Sequence, residues 1–314
     1  MIGVLVMAYG SPKSLDDLGA YYTHIRGGRR PSVELLEELA GRYRAIGGRS
    51  PLHEMTHRQA SALQVRLDVA TPGRYRVYVG MKHAPPFITE TVAAMAADGI
   101  TEGIGLVLAP HYSRMSIGAY IGAAEVARKH LLAPLVMRYV ERWGEHPLFL
   151  DALAARLNVA LAVVPQHERG TVPVIFTAHS LPERIMTWGD SYPDELRRTT
   201  VAVAARTGVR QWTFAFQSAG RSAGPWLGPD IRDAIQHLYD TGSRSVAVCS
   251  VGFIADHLEV LYDLDIEAKA LADRLGMRFV RAASLNDHPL LIEALADLVQ
   301  FHAVEPPAEA TVAR

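Results

Sequence analysis

Apolar residues in this chain follow two alternating rhythms. Short runs with almost no polar break occur at Ile2–Ala8, Tyr75–Gly80, Gly103–Leu108, Leu135–Val140, Val172–Thr177, Trp212–Phe216, Ser245–Val251 and Met277–Val280. Such continuous runs read as strands covered on both faces. Between them, apolar positions recur with helical spacing over Ser32–Ala45, Thr56–Val69, Pro86–Ala97, Ile117–His130, Glu145–Val164, Tyr192–Arg206, Pro229–Asp240, Ala255–Leu275 and His288–His302. Pro229 suits a first helical turn. The alternation predicts parallel sheets joined by right-handed crossovers.

Eight strands divide four and four, with the break inside the helical stretch around residues 140–165. The pattern predicts an α/β protein of two similar, Rossmann-like domains, 1–145 and 146–304. Each is a four-stranded parallel sheet flanked by helices, followed by a Pro- and Ala-rich frayed tail over 305–314. The halves also resemble each other locally. Val4-Leu5-Val6-Met7-Ala8-Tyr9-Gly10-Ser11-Pro12 opens one, and Val174-Ile175-Phe176-Thr177-Ala178-His179-Ser180-Leu181-Pro182 opens the other. Each is an apolar strand, then Ala, a ring-bearing residue and a turn ending in Pro. Tyr9 and His179 therefore fall at equivalent strand C-termini, where open α/β sheets bind ligands.

Composition narrows the classes. At 314 residues, with 49% hydrophobic and 21% charged residues, there is ample material for a core. The formal net charge of −1 gives no global attraction to nucleic acid or to an anionic membrane. No apolar run approaches the roughly 20 residues needed to span a bilayer, and the N-terminal segment reads as a strand rather than a signal peptide. The expectation is a soluble, cytoplasmic protein. The single cysteine, Cys249, lies in an apolar run and reads as a core thiol. No G-x-G-x-x-G follows the first strand, no phosphate-cradling G-x-x-x-x-G-K-[ST] occurs, and no G-x-S-x-G surrounds a serine.

Three groups could carry chemistry. In Ala255-Asp256-His257-Leu258-Glu259-Val260-Leu261-Tyr262-Asp263-Leu264-Asp265-Ile266-Glu267, a helix puts Glu259, Asp263 and Glu267 on one face. Such a carboxylate ladder serves a solvated surface as well as a metal path, and a π-bulge would tighten it. His179, paired with a carboxylate, makes a ligand and proton acceptor for a divalent ion. Tyr9 is an anchored phenol or an iron-facing one. The third group is basic: Arg26, Arg29 and Arg30, then Arg42 and Arg44, flanked by glycines, suit either solubility or a bidentate grip on carboxylates.

The motifs Met7-Ala8-Tyr9-Gly10-Ser11-Pro12, Tyr22-Thr23-His24-Ile25-Arg26, Tyr43-Arg44-Ala45-Ile46-Gly47-Gly48-Arg49-Ser50-Pro51, Thr177-Ala178-His179-Ser180-Leu181-Pro182, Trp226-Leu227-Gly228-Pro229-Asp230 and Gly252-Phe253-Ile254-Ala255-Asp256-His257-Leu258-Glu259-Val260-Leu261-Tyr262-Asp263 resemble the ferrochelatase family, in its order, from residue 1 to about 304. With Tyr9 at the first strand end, the likeness is to the soluble coproporphyrin ferrochelatases of Gram-positive-type bacteria. That resemblance implies a chelatase-like fold with its site in the cleft between the halves, and insertion of Fe²⁺ into coproporphyrin III to give coproheme. It implies His179 and Glu259 as the iron-handling pair and Tyr9 as axial ligand of the metallated product. Arg26, Arg42, Tyr43, Ser50 and Tyr120 become porphyrin contacts, Asp263 and Glu267 an acidic line conducting metal, and His83 a peripheral metal contact. It implies a monomer, with transient haem-pathway partners only. Relatives that carry a [2Fe–2S] cluster hold it on several cysteines, so a chain with only Cys249 is expected to lack one and to need no resident cofactor. The competing readings are a protoporphyrin IX ferrochelatase, a cobalt or nickel chelatase of another tetrapyrrole, and a non-catalytic haem or porphyrin carrier.

Overall fold

The computed structural model describes residues 1–220 and 224–304, so the expected tail over 305–314 lies outside the described residues. The chain builds two four-stranded parallel sheets. The first comprises β1 (Ile2–Ala8), β2 (Tyr75–Met81), β3 (Glu102–Val107) and β4 (Val136–Val140), in the order β2-β1-β3-β4. The second comprises β5 (Val174–His179), β6 (Trp212–Gln217), β7 (Ser245–Ser250) and β8 (Arg278–Arg281), in the order β6-β5-β7-β8. Strand order is therefore the same in both halves, with β1 and β5 central. Their near-complete burial explains why they read as unbroken apolar runs, while edge strands β4 and β8 are only partly covered.

The helices are α1 (Leu18–Ile25), α2 (Val33–Ala45), α3 (Leu52–Ala70), α4 (Ile88–Ala97), α5 (Ile117–Lys129), α6 (Pro147–Ala162), α7 (Tyr192–Thr207), α8 (Ile231–Asp240), α9 (Lys269–Arg274) and α10 (Pro289–Val304). A 3₁₀ turn spans Glu183–Trp188, and a π-helix over Val260–Ala268 leads directly into α9. Three expectations shift. The short α1, rich in aromatic and polar side chains, has no apolar stripe to betray it. Helix α8 starts after Pro229, because the Asp230 side chain caps it by accepting from Arg232 N at 2.8 Å. The stretch expected to be helical from Ala255 turns late, because the Asp256 carboxylate is taken by Ser284 Oγ at 2.7 Å and Asn286 Nδ2 at 2.9 Å.

One core joins the two sheets. Val4, Val6, Ile104 and Leu106 of the first share a cluster with Val174 and Phe176 of the second, bridged by Phe149, Leu153 and Leu157 of α6 and by Leu291, Leu295 and Val299 of α10. Helix α10, last in sequence, packs on α6 but also on α3, β3 and β4 of the first half. The relative placement of the two strand ends is thus set by buried apolar surface, worth about 25 cal/mol per Å².

Candidate active site

The C-terminal ends of β1 and β5 open into one cleft of about 920 Å³, at the upper end of small-molecule sites. His179 is the last residue of β5, and three contacts fix it. Tyr192 of α7 donates its hydroxyl to the His179 carbonyl at 2.9 Å. The ring's Nδ1 lies against the Ser180 carbonyl, which can only accept, so Nδ1 carries the proton and Nε2 is left to the cleft. That Nε2 is 3.5 Å from Glu259 Oε1, and His257 Nε2 is 3.6 Å from Oε2. Glycine at 252 makes this approach possible: a Cβ there would sit 2.4 Å from Ala178 Cβ.

His179 and Glu259 retain about a third of their exposure, 30% and 32%, and both line the cleft. Burial disfavours the charge on both, but each is overruled by its partner. Glu259 holds the His179 imidazolium above its ordinary value, and His179 with His257 holds Glu259 well below the usual carboxylate range. The pairing thus favours an imidazolium facing a carboxylate over two uncharged groups.

Below Glu259 the expected ladder runs along the π-helix. Asp263 is buried, and its carboxylate is bound by Arg42 of α2 and by Ser218. Burial raises its pKa to about 6, and Arg42 and Ser218 offset only part of that shift, while Glu259 and Glu267 add repulsion. Arg42 also stacks its guanidinium over Tyr262, 4.5 Å from the ring centre. Neither Asp263 nor Glu267 lines the cleft itself.

The opposite wall is aromatic. Tyr9 follows β1, with its ring 4.6 Å from that of His83. The neighbouring Gly10 has φ +87° and accepts from Tyr21 Oη at 3.1 Å, and an added Cβ would crowd Ala84 at 2.9 Å. Water reaches 42% of Tyr9, yet the surrounding walls strip hydration from its hydroxyl and Glu259 faces it, so its pKa is pushed up and the phenol stays neutral. Tyr120 lies under Lys82, whose Nζ is 5.1 Å from the ring centre. His24 and His83 meet through their Nδ1 atoms at 3.0 Å, and burial, Lys82 and His24 depress His83 to about 4.

Tyr9, Arg42, Tyr43, Ser50, Tyr120, His179, Glu259 and His83 thus share one cavity. Arg26 is not part of that lining: its neighbours Ile25 and Gly27 are, while its guanidinium lies over Tyr22 at 5.7 Å. Sequence reasoning gave no role to His257, Tyr192 or Gln217, whose Nε2 donates to the Glu259 carbonyl at 3.1 Å. Their signal lies in tertiary contact, although His257 stands two residues from Glu259. Among the described residues no helix is long and apolar enough to cross a membrane.

A family model described as ferrochelatase matches residues 1–303. The coproporphyrin III ferrochelatase of Geobacillus kaustophilus is 46% identical over 299 residues, covering 95% of this chain and 94% of that protein. A ferrochelatase of Herpetosiphon aurantiacus is 43% identical over 296 residues, covering 94% and 97%. Among solved structures, the sirohydrochlorin chelatase SirB of Bacillus subtilis subspecies spizizenii, in complex with cobalt, is similar with a TM-score of 0.56 at 12% identity, covering 98% of this chain and 97% of that one. That likeness concerns the fold alone. By the full-length family match and the identity to these relatives, the chain belongs to the ferrochelatase family.

Proposed function

We propose that this protein inserts Fe²⁺ into coproporphyrin III, giving coproheme, and acts as a cytoplasmic monomer whose halves, dividing near residue 145, each supply one wall of the site. The observation that carries the reading is the pairing of His179 with Glu259 at one strand end, across a single cleft from Tyr9 at the equivalent end. The coproporphyrin preference rests on relatives of that name at 42–46% identity. A buried Cys249, its thiol pushed up to about 12 by burial, supports the reading that no iron–sulfur cluster is bound.

Insertion requires a ring bent to expose its nitrogen lone pairs, an ion stripped of water, and a sink for two N–H protons. The cleft supplies the first through its walls, spending binding energy on distortion. Arg42 and Lys82 are cations placed to meet propionates. As an imidazolium, His179 is not yet a base. An arriving Fe²⁺ at Glu259 replaces the proton that stabilises the pair, because binding a cation to such ligands releases protons. His179 Nε2, held in that tautomer by Ser180, then takes one N–H proton from the ring, passes it to cleft water and takes the second in turn. Asp263 and Glu267 form the approach behind Glu259, and Tyr9 faces the metallated ring from the other side.

The test is anaerobic mixing of protein, Fe²⁺ and coproporphyrin III, followed by absorption, against protoporphyrin IX and against Co²⁺ and Ni²⁺. Faster conversion of coproporphyrin with Fe²⁺ is expected. Faster conversion of protoporphyrin overturns the substrate, and ring binding without conversion makes the protein a carrier.

A further inference from the structure

One spacing plays no part in the site above. Helix α3 carries His53-Glu54-Met55-Thr56-His57, an H-E-x-x-H pattern that sets two imidazoles one above the other on successive turns. Their ring centres are 4.8 Å apart with planes inclined at 60°. Leu52, Thr56 and Gln59 of the same helix line the cleft, whereas His53 and His57 are not part of its lining.

We propose that His53 and His57 form a second site for a divalent transition-metal ion, separate from the His179–Glu259 pair. Among the described residues neither ring is engaged by a hydrogen bond or an ion pair, and their contact is with each other. His53 Nδ1 is buried without a partner, so the ring meets the exterior through Nε2. With ring centres 4.8 Å apart on successive turns of one helix, the two imidazoles are close enough for side-chain rotation to bring one nitrogen of each to a shared ion.

Charge of both signs surrounds the pair. Arg58 is partly neutralised, donating Nε to Asp287 at 3.0 Å, and Glu54 stands exposed beside His53.

Among the described residues no third His, Cys, Asp or Glu joins His53 and His57 in a group that could hold a metal ion. A metalloprotease of the same spacing closes its zinc with a third protein ligand and uses the Glu as base. Here two imidazoles leave the remaining positions to water, which makes an exchangeable docking point rather than a hydrolytic centre. Imidazole selectivity orders the ions, with Ni²⁺ and Cu²⁺ binding ahead of Fe²⁺.

Ni²⁺ is the probe, and since His24, His83, His257 and Glu259 still line the cleft of His179→Ala protein, the site is read as a difference between variants. Calorimetric titration at neutral pH should find one equivalent fewer when His53→Gln or His57→Gln is added to His179→Ala. Equal uptake in all three overturns the proposal. If a double variant fails to fold, the unmodified chain decides through paramagnetic Ni²⁺ broadening of histidine ring signals in NMR. Early broadening of the His53 and His57 signals supports the site, and their survival while other rings broaden sinks it.

Discussion

The ends of β1 and β5 occupy the same place in two sheets of identical strand order, yet they are built for opposite tasks. His179 is pinned through its carbonyl by Tyr192, through Nδ1 by Ser180 and through Nε2 by Glu259. Tyr9 has ring contact with His83 and a neutral hydroxyl among other aromatics. One end is a charged pair of fixed geometry, and the other is an aromatic wall whose strand-end phenol is neutral. The difference teaches that a repeated topology supplies two equivalent positions, while the residues packed behind each decide which holds charge. Arranging a proton or an ion needs the first kind, and gripping an apolar macrocycle needs the second.

The comparison breaks most severely at His179. His179→Ala removes the proposed proton acceptor but leaves a partly exposed site that can fill with water. Insertion should therefore fall by about 10²-fold or more with the fold kept. Anaerobic single-turnover kinetics with circular dichroism checks both, and an undiminished rate refutes the assignment.

Glu259→Gln sharpens the contrast by removing charge while keeping shape. Without the carboxylate, burial is the dominant influence left on His179, so its pKa should drop, as read from ring NMR signals. Stability should change with pH in a defined window. The raised His179 pKa contributes stability that is full below its unfolded value and is lost as pH rises through the folded value. The depressed Glu259 pKa contributes stability present above its unfolded value and lost as pH falls through the folded one. Both contributions coincide between about pH 4.3 and 6.5. Urea midpoints of the wild type relative to Glu259→Gln should peak there, and a flat difference would mean that the pair is uncoupled.

How much of this was legible beforehand follows from where the information lay. The eight strands could be read because a doubly covered strand must be apolar throughout, and the shared Ala–ring–turn signature placed Tyr9 and His179 together. The carboxylate ladder was visible as spacing, and the π-helix that carries it was only suggested by it. What stayed hidden depends on contacts between distant segments. Arg42 meets Asp263 across 221 residues. Helix α10 closes the core of the first half from the far end of the chain, and α1 lacks any apolar stripe. Arg26 and Arg42 look alike as glycine-flanked arginines, but only Arg42 lines the cleft.

The smallest effect is expected at Tyr9. Tyr9→Phe deletes one hydroxyl from a wall that otherwise keeps its shape, since Tyr43 and Tyr120 remain. The phenol is neutral in the resting protein, because burial and the Glu259 charge both resist its ionisation. It can bind iron as phenolate only where the metal displaces its proton, an event that follows insertion. The variant should therefore keep its insertion rate within about tenfold, or 1.4 kcal/mol. The absorption spectrum of the bound iron product should shift as the axial oxygen disappears. A rate loss as deep as that of His179→Ala would make both strand ends reactive. An unchanged product spectrum would reduce Tyr9 to packing, and the division between a charged end and a supporting end would then rest on shape alone.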